Sequence, residues 1–457
     1  MNTPQTLCAH FAFHPVGQGL FASGTLFPGG KYCLPSKRNF SWVYDCGTAS
    51  SQKFIDRELQ RLSLLTNSID LLTISHFDAD HISGIARLLK KCSVKNLLLP
   101  YAPLWQRLLI AFGSGIAITS SEFGFFLNPV SYLRSLNRDD ENLGRIILVP
   151  GSMGNSRPPE SEGRNLSPDS QWEILIDTVH DGSESSGWTD WEKEQFPGDS
   201  TFERMVSGSS IRVNDLWEFV PYNDIVLTPP PTPNGDFQNA VEVCREQLLD
   251  PGVSLEDLQD NLDELKKLYD EEFGDSGEER NDISLYLYAG PIARKLSIGT
   301  SVSGTFPEPF CFFAPFEYHC GVCDDGNACT QSNKKNDGKV GVDIFGNDCY
   351  CLDSCRGILY TGDGNLSDKN KLDRLTQYLL LPRSRKILCL QVMHHGSEKS
   401  WHQGVARKLD PYISAFCSEP NDNRYRHPDP KVWSAFRHRG RRQINSDSGL
   451  LICMRYE

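Results

Sequence analysis

The sequence predicts an α/β protein, and three observations carry that expectation. Short apolar runs of strand length recur along the chain, among them "IDLLTIS" (69–75), "VKNLLLP" (94–100) and "KILCLQV" (386–392). Segments of helical spacing, "SQKFIDRELQRLSLLTNS" (51–68) and "GIARLLKKC" (84–92), alternate with them. With 457 residues, 39% of them hydrophobic, the chain can bury one large core or two ordinary ones.

From the N-terminus, "AHFAFHPVGQG" (9–19), "GLFASGTLF" (19–27) and "FSWVYDCG" (40–47) read as strands joined by glycine turns. The helix at 51–68, the strand at 69–75, the helix at 84–92 and the strand at 94–100 follow in order. Beyond Ala102 the pattern loosens. "LWQRLLIAF" (104–112) and "PVSYLRSL" (129–136) are expected as helices and "RIILVP" (145–150) as a strand. The segment 151–198, rich in Gly, Ser, Pro and acidic residues, is expected as long surface loops. "SSIRVNDLWEFVP" (209–221) reads as one strand and "LTPPPTPNG" (227–235) as a stiff spacer. "SLEDLQDNLDELKKLYDEEF" (254–273) is an acidic helix: Ser254 and Asp257 resemble a capping box, and Leu255, Leu258, Leu262, Leu265 and Tyr269 share a face. Strands resume with "DISLYLYAG" (282–290), "FCFFAPFEY" (310–318), "GILYTGD" (357–363) and "KILCLQVMHHGS" (386–397).

A net charge of -13 argues against broad electrostatic capture of duplex DNA. The basic cluster "FRHRGRRQ" (436–443) reads either as a phosphate-binding strip or as a solvated helix end. No apolar run approaches the roughly 20 residues that span a bilayer, and the N-terminal stretch lacks the pattern of a secretory signal. The expectation is a cytoplasmic protein without a membrane segment. Cys46, Cys92, Cys389, Cys417 and Cys453 lie in apolar runs and are expected to be small buried residues.

The densest chemistry lies in "TISHFDADHISG" (73–84), where His76, Asp78, Asp80 and His81 crowd one loop after an apolar strand. Imidazole nitrogens and carboxylate oxygens converging from one turn suit a divalent metal. Later strands end on Asp363 and on His394 and His395, and His427 follows in "NRYRHPDP". Which of His394 and His395 ligates is open from sequence. Asp363, directly after Thr-Gly, has a carboxylate able to bridge two ions.

In order, "VGQG" (16–19), "VYDCG" (43–47), "SHFDADHISG" (75–84), "NDISLYL" (281–287), "LYTGD" (359–363), "MHHGSEKS" (393–400), "NRYRHP" (423–428) and "NSDSG" (445–449) resemble the metallo-β-lactamase-fold hydrolases. They are most similar to the ComEC type, the hydrolase domain of bacterial DNA-uptake proteins and its stand-alone relatives. The resemblance implies an αββα sandwich with metals at one edge. It implies a hydrolase core in 1–104, resumed by a strand in 208–221 and by 281–457. A loop-rich insertion at 105–207, a proline-rich and acidic helical one at 222–280 and a Cys-rich one at 319–355 interrupt that core. Three departures stand out: Leu20 follows "VGQG" where the family usually has an acid, Asp78 replaces a histidine of most superfamily members, and His180 is a poor candidate for the further histidine of binuclear relatives.

An aspartate in place of an imidazole hardens the site, shifting preference from Zn²⁺ towards Mn²⁺ or Mg²⁺. For one or two ions, Zn or Mn, the expected ligands are His76, Asp78 and Asp363 for the first, and Asp80, His81, Asp363 and His394 for the second. Asp80 and His427 are assigned to catalysis, with His427 protonating the leaving oxygen, binding phosphate or serving as a structural ligand. His395, Ser397, Asn281 and Arg424 are assigned to substrate, and Asn281 with Ser284 to orienting the site. Ser397 and Ser400 lack a G-x-S-x-G elbow and are expected as supporting hydrogen-bonders.

Between 319 and 355, Cys320, Cys323, Cys329, Cys349, Cys351 and Cys355 have the spacing of a structural zinc module able to grip nucleic acid or a protein partner, with disulfides and then a redox role as the alternatives. The expected activity is that of a phosphodiesterase or nuclease using metal-activated hydroxide on a nucleic acid or nucleotide. The alternatives are another metallo-hydrolase, acting on a cyclic nucleotide, lactone or thioester, and a partner-binding subunit of a bacterial multi-protein system, defence included.

Overall fold

The computed structural model describes residues 7–28, 39–102, 107, 111, 121–136, 142–152, 172–180, 202–224, 243, 260, 267, 284–292, 299–307, 339–342, 348–352, 356–420, 426–437 and 440–456, some of them by backbone alone. The architecture is mixed α/β, with two sheets and helices. In chain order the strands are β1 (Leu7–Phe13), β2 (Phe21–Pro28), β3 (Phe40–Cys46), β4 (Ser68–Ile69), β5 (Leu71–Thr73), β6 (Ser93–Pro100) and β7 (Leu143–Val149). Next come β8 (Ile174–Leu175), β9 (Thr178–His180), β10 (Phe202–Met205), β11 (Ile211–Val213), β12 (Trp217–Asn223), β13 (Leu285–Pro291) and β14 (Gly299–Pro307). The last are β15 (Lys339–Val342), β16 (Asp348–Leu352), β17 (Gly357–Tyr360), β18 (Ile387–Gln391), β19 (Ile413–Cys417), β20 (Gly440–Ile444) and β21 (Ser448–Tyr456). The helices used below are α1 (Gln52–Leu65), α2 (Ala79–Ile82), α3 (Ile85–Leu89), α4 (Ser121–Leu127), α5 (Pro129–Leu136), α6 (Lys369–Ser384), α7 (Gly404–Leu409) and α8 (Pro430–Ala435).

One sheet runs β15-β16-β14-β21-β1-β2-β3-β5-β6-β7-β10-β9, with β4 beside β6; the other runs β20-β19-β18-β17-β13-β12-β11-β8. Strand β1 pairs antiparallel with β21, so the two ends of the described chain meet in one sheet. Strand alternation then builds the core. Phe40, Trp42 and Tyr44 of β3 face one cluster with Leu285, Leu287 and Ala289 of β13, whereas Val43 faces another cluster with Ile55 and Leu59 of α1 and Leu88 of α3. On the second sheet, Tyr286 and Tyr288 turn the other way, to Leu375 of α6, Val405 of α7 and Val432 of α8. Across the seam between the sheets, Trp42 meets Phe219 edge-on at 5.3 Å and Tyr44 stacks on Tyr360 at 4.7 Å. The Tyr44 hydroxyl donates to the Leu285 carbonyl at 2.6 Å.

The expected helices at 51–68, 84–92 and 129–136 form as α1, α3 and α5, and the expected strands at 145–150 and 357–363 as β7 and β17. The run 209–221 departs from expectation. It is a hairpin, β11 against β12, turned at Asn214 and Asp215, whose φ values are 49° and 52°. Asn and Asp tolerate the left-handed region that a tight hairpin turn needs, so "ND" inside an apolar run is a turn signal. The proline spacer, the strand expected at 310–318 and the loop segment 181–198 lie outside the described residues. So does the acidic helix, save that Asp260 and Lys267 are helical. The cysteine module is described only through the backbone of β15 and β16, the latter carrying Cys349 and Cys351. Cys46, Cys92, Cys389, Cys417 and Cys453 are buried, as expected. Cys8 is disulfide-bonded. No helix among the described residues is long and apolar enough to cross a membrane.

A buried ion cluster locks α1 to the first sheet. Glu58, 1% exposed, accepts from Arg57 Nε at 2.8 Å and Arg61 Nη1 at 2.6 Å, with His14 Nδ1 at 3.3 Å. Arg57 also donates to the carbonyls of Pro15 and Ser446. Burial presses the Glu58 pKa upward, but His14, Arg61 and Arg57 outweigh it and leave it below the ordinary value. The cluster therefore stabilises the fold above the unfolded glutamate pKa of about 4.3 and stops doing so as pH falls through the lowered folded value. Glu58→Gln is expected to lower stability at neutral pH by about 2–3 kcal/mol, under the range for a fully buried pair because both guanidiniums stay in touch with water. Urea melts at pH 7 and pH 3 test this. Equal midpoints at pH 7, or a gap undiminished at pH 3, would refute it.

Candidate metal centre

The carboxyl ends of β3, β5, β17, β18 and β19 supply the residues of one site. Strand β3 carries Asp45 as its penultimate residue and β5 leads into Ser75, His76 and Asp78, while α2 presents Asp80 and His81. Asp363 follows β17, and His394 and His395 sit on a 3₁₀ turn, Met393–Gly396, after β18. Close packing of these loops demands glycine. A Cβ at Gly47 would strike the backbone of Asp80 and His81, and one at Gly362, whose φ is 54°, would strike Ser284 Oγ and Ser75 Oγ.

Asp363 divides its two oxygens between two groups. Oδ1 lies 3.0 Å from His81 Nε2 and 3.5 Å from His395 Nε2. Asp80 Oδ2 closes that group, 3.0 Å from His395 Nε2 and 3.9 Å from His81 Nε2. Oδ2 of Asp363 faces His76 Nε2 at 3.7 Å, which is 3.6 Å from Asp78 Oδ2. The two sets able to hold an ion are thus Asp80, His81, Asp363 and His395, and His76, Asp78 and Asp363. Metal–ligand bonds of about 2.0–2.1 Å in a tetrahedron put ligand atoms about 3.3–3.4 Å apart, and the observed spacings straddle that figure.

Each imidazole is held by its other nitrogen. His81 Nδ1 donates to Asp45 Oδ2 at 2.8 Å, and Asp45 is itself anchored by the amide and hydroxyl of Ser75, both at 2.6 Å. With the Ser75 proton committed to Asp45, His76 Nδ1 donates to Ser75 Oγ at 2.9 Å. His395 Nδ1 donates to the Cys417 carbonyl at 2.5 Å, and His394 Nδ1 is hydrogen-bonded with Ser400 Oγ at 2.9 Å. With Nδ1 of His81, His76 and His395 held as a donor, release of the Nε2 proton would turn an Nε2 lone pair to the carboxylates, as in histidines that ligate metal. His76 Nε2, His81 Nε2, Asp78 Oδ1 and Asp363 Oδ1 are buried without a hydrogen bond. Such orphaned atoms are costly unless an ion satisfies them.

Charges balance tightly in the site. Burial presses His81 downward, but Asp363, Asp80 and Asp45 outweigh it and raise its pKa well above the ordinary value. Burial likewise raises Asp80, yet His81 and His395 bring it down to about 2. Burial and the imidazoles of His395 and His394 take His427 down to about 4, so it is neutral at neutral pH. Its ring centroid lies 5.9 Å from that of His394 and 6.5 Å from that of His395. A neutral His427 can offer a hydrogen bond.

The pair at the end of β18 reverses the expected assignment. His395, expected to bind substrate, joins Asp80, His81 and Asp363; His394, expected there, stands 3.7 Å from Asp363 Oδ2, on the side of His76. Both residues have positive φ, 47° and 56°, in a turn tied by the His394 amide to the Gly362 carbonyl, so adjacent rings point to different groups. His394 occupies the neighbourhood where no further histidine was found in sequence, while His180 lies far off on the edge strand β9. Ser397 is 5% exposed and its amide closes the turn onto the His394 carbonyl. Asn281 and Arg424 lie outside the described residues. Ser284 Oγ donates to the Thr361 carbonyl at 3.2 Å, within the Asp363 loop.

Two supports escaped sequence reasoning in their roles. Asp45 lies in "VYDCG", and its place near a strand end, before Cys-Gly, was the available signal. Gln391 carried none. Its Oε1 accepts from the amides of Thr361 and Gly362, both at 2.7 Å, and its Nε2 donates to the carbonyls of Gly362 and Val392, stapling the Asp363 loop to the histidine turn. In the basic cluster, Arg441 lies on the edge strand β20 with its guanidinium 4.7 Å from the Trp433 ring centroid, while His438 and Arg439 lie outside the described residues. No protein-family model matches the chain, and no curated protein does.

Proposed function

We propose that this chain is a metal-dependent hydrolase of the metallo-β-lactamase type, an αββα sandwich similar to the ComEC hydrolases, and that it cuts phosphodiester bonds. The observation that carries the reading is Asp363, whose two oxygens face two separate groups of imidazole and carboxylate atoms. Two ions sharing the Asp363 carboxylate would suit in-line displacement at phosphorus. The aspartate-rich donor set favours Mn²⁺ alongside Zn²⁺. When bound, such ions acidify water and polarise a phosphoryl oxygen. The chain's own residues orient the rest: Asp45 and Ser75 fix the rings of His81 and His76, Gln391 fixes the loop of Asp363, and neutral His427 offers a hydrogen bond at the rim. A zinc module at Cys320–Cys355 belongs to the same reading as a structural element.

Turnover of bis(p-nitrophenyl) phosphate and cutting of single- and double-stranded DNA, each with Mn²⁺ and after chelation, test the reading in the wild type and in Asp80→Ala. Metal-dependent release of nitrophenol that Asp80→Ala abolishes is the expected result. Turnover of thioesters or lactones alone would overturn phosphodiester chemistry while leaving a metallo-hydrolase.

A further inference from the structure

Beside the metal centre, a groove of about 1090 Å³ runs between α7 and α8 over β19. Its mouth adjoins the histidine turn. Trp401 follows Ser400, whose hydroxyl is hydrogen-bonded with His394 Nδ1, and the amide of Asp429, which caps α8, donates to the Gly396 carbonyl at 2.9 Å. The groove is lined by Arg407 on α7 and by Lys431 and Arg437 on and after α8, with Asp410 the one acid. All three cations are exposed on a chain of net charge -13. Lys431 pairs with Glu398 outside the groove lining; Arg407 and Arg437 make no ion pair among the described residues.

Two polar groups of the lining lack partners. Ser414, on β19 and 0% exposed, has a hydroxyl with no hydrogen bond, and so does the indole Nε1 of Trp401. Strand alternation turns Ser414 away from the core cluster that takes Ile413 and Ala415, to the side of α7 and α8. Buried hydroxyls are rarely left unsatisfied, so this one points to a polar ligand. The cations point to an anionic one. A cleft bounded by two helices admits a single chain, whereas a duplex needs a broad basic face, and basic groove plus aromatic side chain is how single strands are held.

We propose that the groove binds the sugar-phosphate backbone of a single-stranded nucleic acid whose scissile bond sits at the metal centre, with Arg407 and Arg437 on phosphates and Ser414 and Trp401 donating to the strand. The substrate class rests on the phosphodiester reading above, and the binding test is independent of it.

A fluorescein-labelled twelve-nucleotide thymidine strand is titrated with the full chain in chelator, where no cutting occurs, across a series of salt concentrations. Removal of two phosphate contacts in Arg407→Ala/Arg437→Ala is expected to weaken binding roughly tenfold and to lower the slope of log affinity against log salt by about 1.4. Ser414→Ala, at an unchanged melting temperature, is expected to weaken the strand without altering that slope. Unchanged affinity and slope in the double variant, no binding by the wild type, or equal arginine-dependent binding of a duplex would each overturn the proposal. Strand binding without bis(p-nitrophenyl) phosphate turnover would keep the groove and remove the phosphodiester reading. Turnover with no strand binding would do the reverse.

Discussion

Asp363→Ala is expected to empty both halves of the site and to reduce phosphodiester cleavage by at least about a thousandfold, the several kcal/mol of charge stabilisation that a bound ion supplies. The residue contributes an oxygen to each group, 3.0 Å from His81 Nε2 on one side and 3.7 Å from His76 Nε2 on the other. Burial raises its pKa, yet His394, His81 and His395 hold its carboxyl well below the usual range, so the group is ionised and ready to ligate. No neighbour can replace it, because Asp78 and Asp80 each reach only one group. Elemental analysis of the purified variant, together with initial rates at saturating Mn²⁺, measures both effects. A variant that keeps its metal content and a rate within tenfold of wild type would sink the two-group reading. Loss of metal with the fold intact is the result that supports it.

Asp45→Asn makes a subtler change with a large effect. The carboxylate is fully buried, 0% exposed, and accepts hydrogen bonds from His81 Nδ1 and from the Ser75 hydroxyl. An amide keeps its shape but turns a donor toward one of these donors. Relief of that clash by His81 moves the ring proton to Nε2, the atom that must ligate. Loss of such a support typically costs 10–100-fold in metal affinity, so a drop of about that size is expected. Calorimetric titration of the metal-free protein with Mn²⁺ and Zn²⁺ measures it. Because the ligands themselves remain, activity should return in part at high metal, whereas Asp363→Ala should not recover. Wild-type affinity in Asp45→Asn would show that His81 is oriented by packing alone.

Strand and helix spans were legible wherever one period governed a run. Phe40, Trp42 and Tyr44 alternate with Ser41, Val43 and Asp45, and α1 carries Ile55, Leu59 and Leu62 at helical spacing. The loop His76–His81 was legible for a related reason: four donor side chains within six residues at a strand end converge whatever the rest of the fold does. Asp363 could be singled out because it ends a buried strand after Thr-Gly. The hairpin at Asn214 and Asp215 was hidden by apolar residues on both sides, although its turn chemistry was in plain view.

The sequence by itself therefore determined an α/β chain with a His/Asp loop and further donors at strand ends. Only the tertiary structure decided how those donors divide. Neighbours in sequence, His394 and His395 are separated in role because their turn holds each ring by a different partner, Ser400 for one and the Cys417 carbonyl of β19 for the other. Asp45 lies thirty-six positions from His81 and Gln391 twenty-nine from Gly362, and sheet register alone brings each pair into contact. The basic groove likewise needs α7 and α8 packed side by side over β19 before Arg407 and Arg437 line one cleft. Hydrogen bonds act over about 3 Å, and which residues come that close is set by packing of the whole sheet, not by any local run of residues.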